Sequence, residues 1–376
     1  MRAAIIFALT LIPSTLMAAP SVEAGKPVDI VLCLDTSGSM DGLIDSAKRK
    51  LWAFVNDLAK VEPTPTLRVG LYSYGNNTYE ASRGWVRKEV ELTTDLDEVY
   101  KRINALKTAA AGSTELPARV SKYALEELKW SLDKDGLRII FVCGNESVDQ
   151  DKDVSIESIA EQAKVKGILI NTIYCGTLTH QDAAGWAAFA TKCSGKASNI
   201  DQERAKAEVA IVTPYDEEIR KLGTKINDTY VWFGAKGVAS RANQLAQDGN
   251  AAKVAPAAAI ERDITKAGGL YKNAECDLID KMLNEKSFDL KKIEEADLPA
   301  ELKKLKADER EPYLKKKASQ RAEIQKVVSD LSTKRTKYMD AERAKQQKLT
   351  GDKALDQALR EILKDQATSK GLKVKE

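Results

Sequence analysis

Hydrophobic positions alternate between two periodicities from residue 26 to about residue 201. Residues 28–34 form a near-continuous apolar run, which is typical of a strand that is buried on both faces. Apolar residues then recur at helical spacing over residues 43–58. This alternation predicts an α/β fold with a doubly wound, mostly parallel sheet and helices on both faces. The other predicted elements are strands at 67–71, 139–143 and 168–175, helices at 95–106, 115–132 and 156–165, and an antiparallel edge strand at 85–92.

The pattern changes near residue 214, where proline follows Thr213 in the manner of a helix start. Residues 236–260 are rich in Ala, Asn, Gln and Gly and predict a helix followed by a loose joint. No Gly or Pro lies between Pro312 and Gly351, which indicates one long amphipathic helix that buries its stripe in a helical hairpin or coiled coil. The predicted stripe is Ile324, Val328, Leu331 and Tyr338.

The beginning of the chain has the pattern of a secretory signal. Arg2 precedes an apolar run over residues 3–17, and small residues follow it, so that cleavage after Ala18, Ala19 or Ala24 fits equally well. An uncleaved anchor is the alternative, although the run is short for a membrane-spanning helix. We therefore expect an exported protein with a signal peptide at 1–24, an α/β domain at 26–213, a helical linker region at 214–260 and a charged α-helical region at 261–376.

Composition excludes several classes of function. The formal net charge is +3 although 31% of the residues are charged, and this balance argues against a dedicated nucleic-acid binder. The only histidine is His180, which argues against zinc hydrolases and Ser-His-Asp catalysis. The five cysteines are expected to be mainly buried small hydrophobes, with a disulfide between Cys175 and Cys193 as the alternative.

One motif combines oxygen donors at a chemically suitable place. The first buried strand ends in the sequence Asp35-Thr36-Ser37-Gly38-Ser39, directly before the first predicted helix. Ligands of doubly wound sheets bind at the carboxyl ends of the strands. A carboxylate and two serine hydroxyls offer part of the oxygen shell that Mg²⁺ requires. In the alternative interpretation, Ser39 or Asp41 only caps the following helix.

This motif resembles the start of the metal-ion-dependent adhesion site (MIDAS) of the von Willebrand factor type A (VWA) domain, a Rossmann-like fold. The resemblance implies that Thr114 is the ligand from a second loop. It also implies an aspartate after the fourth strand of the family, where this chain has Asn145. An amide oxygen brings no charge, so metal affinity is reduced unless a nearby carboxylate compensates. The candidates for compensation are Glu146, Asp149 and Asp151, and the candidate accessory residues of the site are Glu115 and Glu146.

Further stretches extend the resemblance to bacterial secreted VWA proteins with a helical C-terminal region, which implies a periplasmic or secreted location. They include residues 144–146, 171–176, 199–202 and 227–230. The resemblance implies that Mg²⁺ or Mn²⁺ is held by Ser37 and Ser39, with Thr114 joining as its loop moves. Asp35 and Asn145 would act through waters or as outer holders.

We expect a protein-binding module whose unidentified partner offers an acidic side chain to the metal. The alternative is a structural scaffold with a degenerate metal site, in which the C-terminal helices mediate self-association. A metal-assisted hydrolase would need a general base, for which Asp41, Glu115 and Glu146 are the only nearby candidates. Nothing else in the sequence supports hydrolysis, so we do not expect an enzyme.

Overall fold

The computed structural model describes residues 25–109, 114–200, 211–347 and 355–374. The predicted signal peptide lies outside these residues. The strands are β1 (Pro27–Asp35), β2 (Val61–Glu62), β3 (Thr66–Tyr74), β4 (Val86–Thr93), β5 (Leu137–Gly144), β6 (Leu169–Tyr174), β7 (Ala197–Asn199) and β8 (Lys373–Val374). The helices are α1 (Asp41–Leu58), α2 (Leu96–Ala105), α3 (Pro117–Glu127), α4 (Ile156–Lys166), α5 (Ala183–Lys192), α6 (Asp216–Asn227), α7 (Gly234–Val254), α8 (Pro256–Ala267), α9 (Leu278–Asn284), α10 (Ala300–Lys303), α11 (Ala307–Gln347) and α12 (Leu355–Ser369).

Six strands form one mixed sheet in the order β4-β3-β1-β5-β6-β7. All neighbouring strands are parallel except β4, which pairs antiparallel with β3 at the edge. This arrangement confirms the predicted fold class, including its antiparallel edge strand. The chain leaves β1 toward β3 and later crosses to β5 on the other side. The carboxyl end of β1 is therefore the position where a doubly wound sheet binds ligands.

Each face of the sheet is covered by its own set of helices. The first face packs against α1, α2 and α12, and its core includes Leu32, Phe54 and Phe141. The second face packs against α3, α4 and α5 around residues such as Val142 and Trp186. Strand residues alternate between the two cores, which explains why β1 and β5 have continuous apolar runs.

The predicted helix at 115–132 is wrong at its C-terminal end, because α3 stops at Glu127. The indole nitrogen of Trp130 folds back and donates a hydrogen bond to the carbonyl of Ala124 at 2.9 Å. The next residue, Ser131, donates its backbone N–H to the buried carboxylate of Asp29 at 2.7 Å. Contacts to a distant strand therefore end the helix without a Gly or Pro. Three elements of this domain were not predicted, namely the short strands β2 and β7 and the helix α5.

The joint predicted after residues 236–260 is also wrong. Helix α7 ends at Val254, Ala255 adopts extended backbone with φ of −166°, and α8 begins directly at Pro256. One extended residue followed by proline gives a sharp bend in place of a loose segment, because proline at the first helical position starts a new helix. Both helices pack on the sheet domain, α7 against α2 and α8 against α1.

The long helix predicted after Pro312 is confirmed as α11, but its buried line differs from the predicted stripe. Val328 is buried as predicted, whereas Tyr338 is 38% exposed. The buried residues are spaced by seven, which places them on one face of the helix. They are Leu314, Arg321, Val328 and Arg335.

The two buried arginines of α11 have acidic partners in the same chain. Arg321 donates to Asp277 at 2.7 Å and to Asp280 at 2.8 Å, and its guanidinium lies 4.0 Å from the centre of the Tyr230 ring. Arg335 donates to carboxylates of α6 and α8, at distances of 2.9 and 2.5 Å. Arginine side chains therefore occupy positions that hydrophobic periodicity assigns to apolar residues.

A fully buried arginine joins the helical region to the sheet domain. Arg262 of α8 forms an ion pair with Asp97 of α2 and a second one with Asp248 of α7 at 2.9 Å. The hydroxyl of Tyr271 donates to Asp97 at 2.6 Å. The guanidinium also lies 4.5 Å from the ring centre of Trp52 on α1. This cluster, which we name the Arg262 cluster, connects α1, α2, α7 and α8.

The last helix, α12, packs on the first face of the sheet. Its residues Leu359, Ile362, Leu363 and Ala367 belong to the same core as β1 and α1. The side-chain amides of Gln366 and Asn171 on β6 bind each other reciprocally at 2.7 and 3.0 Å. β8 pairs with β2 beyond α1. The charged C-terminal region therefore supplies part of the core of the α/β domain.

Two further observations concern cysteines and membrane contact. The cysteines are buried thiols, and Cys175 and Cys193 are not joined by a disulfide. Among the residues that the structure describes, no helix is both long enough and apolar enough to span a bilayer.

We expect Arg262→Ala to destabilise the protein by about 3–5 kcal/mol, because the variant leaves the carboxylate of Asp97 without its buried cation and leaves Asp248 with Lys266 alone. Arg102→Ala is the matched control, since Arg102 lies on the same helix as Asp97 and is 47% exposed in its pair with Glu98. The control should cost less than about 1 kcal/mol. Urea unfolding measures the stability loss of each variant, with m-values equal to that of the parent. Equal losses in the two variants would contradict this account of the Arg262 cluster.

Candidate functional site

The candidate site lies where β1 ends, and its first turn is held by two neighbouring segments. Thr36 donates its backbone N–H to the carbonyl of Tyr74 at 2.8 Å and its hydroxyl to the same carbonyl at 2.9 Å. The carbonyl of Thr36 accepts from the backbone N–H of Ala109 at 2.9 Å. The end of β3 and the loop before α3 therefore fix the backbone on which the motif stands.

The carboxylate of Asp35 is completely buried at this turn. Its Oδ1 accepts a hydrogen bond from the backbone N–H of Ser37 at 2.8 Å. Its Oδ2 is buried and has no hydrogen-bond partner among the described residues. Burial raises the pKa of Asp35 to about 8, against the opposing hydrogen bonds from Ser37, and the charges of Glu115 and Glu146 raise it further. An unsatisfied buried carboxylate oxygen is costly, which points to a missing partner.

The remaining side chains of the motif lie close to each other and to Asn145. The hydroxyl oxygens of Ser37 and Ser39 are 3.3 Å apart. The hydroxyl of Ser39 lies 3.4 Å from Oδ1 and 3.2 Å from Nδ2 of Asn145, which directly follows β5. The ends of β1 and β5 thus bring the serine motif and Asn145 together.

The capping alternative does not describe these side chains. Helix α1 is preceded by Met40 and has no side-chain cap, while the short 3₁₀ turn before it also lacks one. Ser39 faces Asn145, and Asp41 accepts from the hydroxyl of Thr108. The oxygen atoms of the motif are therefore available for a role other than starting the helix.

Two glycines make room for the Asp35 carboxylate, and sequence reasoning did not assign them this role. Gly75 has φ of +71°, and a Cβ atom there would lie 2.7 Å from Asp35 Oδ1. A Cβ atom on Gly144 would lie 3.2 Å from Asp35 Oδ2 and 2.4 Å from the Tyr74 hydroxyl. Glycine at the ends of β3 and β5, the two strands that flank β1, was the available signal, since it marks close approach of a backbone to another group.

The second predicted loop is described in part. Residues 110–113 lie outside the described residues, and Thr114 is half-buried beside Glu115. The side chain of Glu115 reaches the site, because its Cγ lies 3.0 Å from the position of a Cβ on Gly75. Burial raises the pKa of Glu115, and the charge of Glu146 acts in the same direction while contact with the Ser37 hydroxyl opposes it.

The three carboxylates proposed to compensate for Asn145 have different surroundings. Asp151 is held by Arg119 at 2.6 and 2.7 Å, and this pairing outweighs burial and lowers its pKa. Asp149 is exposed and accepts from the hydroxyl of Ser147 at 2.5 Å. Of the three carboxylates, only Glu146 has a charge that raises the pKa of Asp35. Asp149 and Asp151 are therefore poor candidates.

The donor set fits a hard divalent cation. It combines the unsatisfied oxygen of Asp35 with two hydroxyls and an amide oxygen, and Glu115 adjoins them. In the described part of the chain, no three or more His, Cys, Asp or Glu side chains are grouped to hold a metal ion. A metal here would therefore depend on neutral oxygen donors, which suits Mg²⁺ or Mn²⁺ better than zinc.

Comparison with known proteins identifies the sheet domain. The model of the von Willebrand factor type A domain matches residues 29–201. No curated protein sequence matches the chain. Similar solved structures include proximal thread matrix protein 1 from the mussel byssus, with 13% identity over 50% of this chain and 45% of that chain at a TM-score of 0.35.

Two other structures show similar values. The same mussel protein with a zinc-occupied MIDAS motif has 12% identity and a TM-score of 0.36, over 50% of this chain and 45% of that chain. The SpRpn10 VWA domain has 14% identity and a TM-score of 0.35, over 50% of this chain and all of that domain. This chain thus spans less than half the length of the mussel protein.

The raised pKa of Asp35 predicts an unusual pH dependence in metal-free protein. Between about pH 4 and pH 8 the folded state binds more protons at Asp35 than the unfolded state does, so this group makes stability fall as pH rises through that window. We expect Asp35→Asn to melt higher than the parent at pH 8 in the presence of EDTA. The advantage should shrink at pH 5, where Asp35 is protonated.

Thermal unfolding at both pH values checks this prediction. Asp41→Asn is the control, because Asp41 is exposed, and its melting difference should be similar at pH 5 and pH 8. An Asp35→Asn advantage that does not change with pH would show that ionisation of Asp35 is not the cause.

Proposed function

We propose that the VWA domain at residues 29–201 is a metal-dependent module for binding partner proteins, and that it has no catalytic activity. VWA domains are typically interaction modules, and the match to that family covers the whole candidate site. The observation that carries the proposal is the buried Oδ2 of Asp35, which has no hydrogen-bond partner among the described residues. The same turn brings the hydroxyl oxygens of Ser37 and Ser39 within 3.3 Å of each other. A water molecule held by a cation would give the Asp35 oxygen the hydrogen-bond partner that it lacks.

The residues that would hold Mg²⁺ or Mn²⁺ are Ser37 and Ser39 directly, with Thr114 as a further ligand. Asp35 and Asn145 would act through waters or as outer holders, as second-shell groups commonly do. When bound, the cation supplies an electrophilic position that attracts a carboxylate of the partner. Because Asn145 is neutral, less of the metal charge is compensated than with an aspartate. The cation would therefore attract an anion more strongly, and the protein would hold the cation less tightly.

The partner is proposed to be a protein that offers an aspartate or glutamate, outside the cytoplasm. The extracytoplasmic location, periplasmic or secreted, rests on the signal-like pattern of residues 1–24. The alternative, self-association through the C-terminal helices, gains no support from the buried line of α11. Those residues pack against α6, α8 and α9 of the same chain. Self-association through other surfaces stays a prediction.

The proposal is tested by titrating Mn²⁺ into the full chain and following the water proton relaxation rate. We expect saturable binding that Ser39→Ala weakens by about tenfold or more, since that variant removes one neutral oxygen ligand. A short peptide with a central glutamate should then reduce the relaxation enhancement, because its carboxylate displaces water from the ion. The same peptide with glutamine is the control. A glutamate peptide without effect on metal-loaded protein would contradict carboxylate capture.

Asn145→Asp should raise the affinity for Mg²⁺ by about tenfold, because a charged ligand replaces a neutral one. Calorimetric titration of the full chain measures this change. We expect the same variant to bind the glutamate peptide more weakly, since the ion is better neutralised. Asn145→Ala, which removes the amide oxygen, should instead lower the affinity for metal. If Asn145→Asp and the parent bind both metal and peptide equally, residue 145 does not belong to the site.

A further inference from the structure

We propose that Glu115 is a second carboxylate of the metal site and supplies part of the negative charge that Asn145 does not bring. This inference rests on the proposed function, because it assigns a further ligand to the same cation. The resemblance to the VWA family assigns the ligand of this loop to Thr114 and gives Glu115 no defined role. The assignment therefore depends on where the structure places the Glu115 side chain.

The geometry brings Glu115 to the carboxylate of Asp35 across Gly75. The position of a Cβ on Gly75 is 3.0 Å from Glu115 Cγ and 2.7 Å from Asp35 Oδ1. The two acidic side chains thus converge on one small volume that the missing side chain of Gly75 leaves open. Glu115 also contacts the hydroxyl of Ser37, which is itself a predicted ligand. Three oxygen-bearing groups from two loops meet there.

The other oxygen of the same carboxylate, Oδ2, lies toward Gly144 and has no hydrogen-bond partner among the described residues. The side chains whose charge acts on Asp35 are Glu115 and Glu146, both negative. When both are ionised, two carboxylates that converge in a partly buried volume repel each other unless a cation lies between them. The arrangement is therefore unfavourable by itself and becomes favourable with a divalent ion.

Glu115 is a better candidate than Glu146 for this role. Glu115 is half-buried and lies two residues before Pro117, the first residue of α3, so its backbone is fixed by the start of that helix. Glu146 is exposed, and its backbone carbonyl accepts from the indole of Trp186 at 2.8 Å. Glu146 thus contributes charge at the rim, whereas Glu115 lies against the motif.

The test compares Glu115→Gln with Glu146→Gln in the full chain, since both changes remove one charge from the same neighbourhood. Mn²⁺ affinity is measured by calorimetry, and thermal midpoints are measured in EDTA and in excess Mg²⁺. We expect Glu115→Gln to lower Mn²⁺ affinity by about tenfold or more and Glu146→Gln to change it by less than about threefold. In EDTA, Glu115→Gln should melt at or above the parent, and in Mg²⁺ it should melt below the parent.

This reversal separates a ligand from a side chain that only supports the fold. A lower midpoint in EDTA as well as in Mg²⁺ would overturn the inference, because Glu115 would then stabilise the protein without metal. Unchanged Mn²⁺ affinity in Glu115→Gln, or a larger loss in Glu146→Gln, would also overturn it and leave the proposed function intact. A parent protein that binds no metal would overturn both proposals together.

Discussion

The buried guanidinium of Arg262 is the interaction on which the arrangement of the whole chain depends. A charge without access to water requires partners, and this one finds Asp97 and Asp248 on two different helices. Its contact with the ring of Trp52 adds α1 to the same cluster. Helix α1 begins at Asp41, two residues after Ser39, so its first residues adjoin the metal motif while its second half contacts the helical region.

Apolar spacing was sufficient to predict five of the six strands of the sheet, because its central strands are buried on both faces and consist mostly of apolar residues. The short strand β7 has no apolar run and was not predicted. The same reasoning failed where charged residues take part in packing. Arg321 and Arg335 are buried on α11, and a sequence pattern assigns such residues to the solvent. Their acidic partners are far away along the chain, so only the folded structure shows that the charges are compensated. The helix predicted at 115–132 was too long for the same reason, because a charged residue takes part in the packing there. The backbone of Ser131 binds the buried carboxylate of Asp29, and α3 ends before it.

The candidate site was predictable in its composition but not in its electrostatics. The motif and the strand pattern predicted that Asp35, Ser37 and Ser39 would lie at the edge of the sheet, and the structure brings Asn145 to them. The sequence gives no sign that Oδ2 of Asp35 lacks a hydrogen bond, because this depends on Gly144 in the neighbouring strand. The position of Glu115 likewise depends on the conformation of Gly75.

The packing of α12 means that the first face of the sheet can be completed only after the C-terminal region has been synthesised. Asp57 on α1 and Arg360 on α12 are 303 residues apart in sequence and form a direct hydrogen bond. Closing so long a loop adds only slowly to the entropic cost, but contacts between distant segments slow the folding reaction. While the chain is being made, the first face of the sheet stays partly uncovered until α12 emerges. The nascent α/β domain therefore lacks one of its covering helices until the entire helical region has been translated.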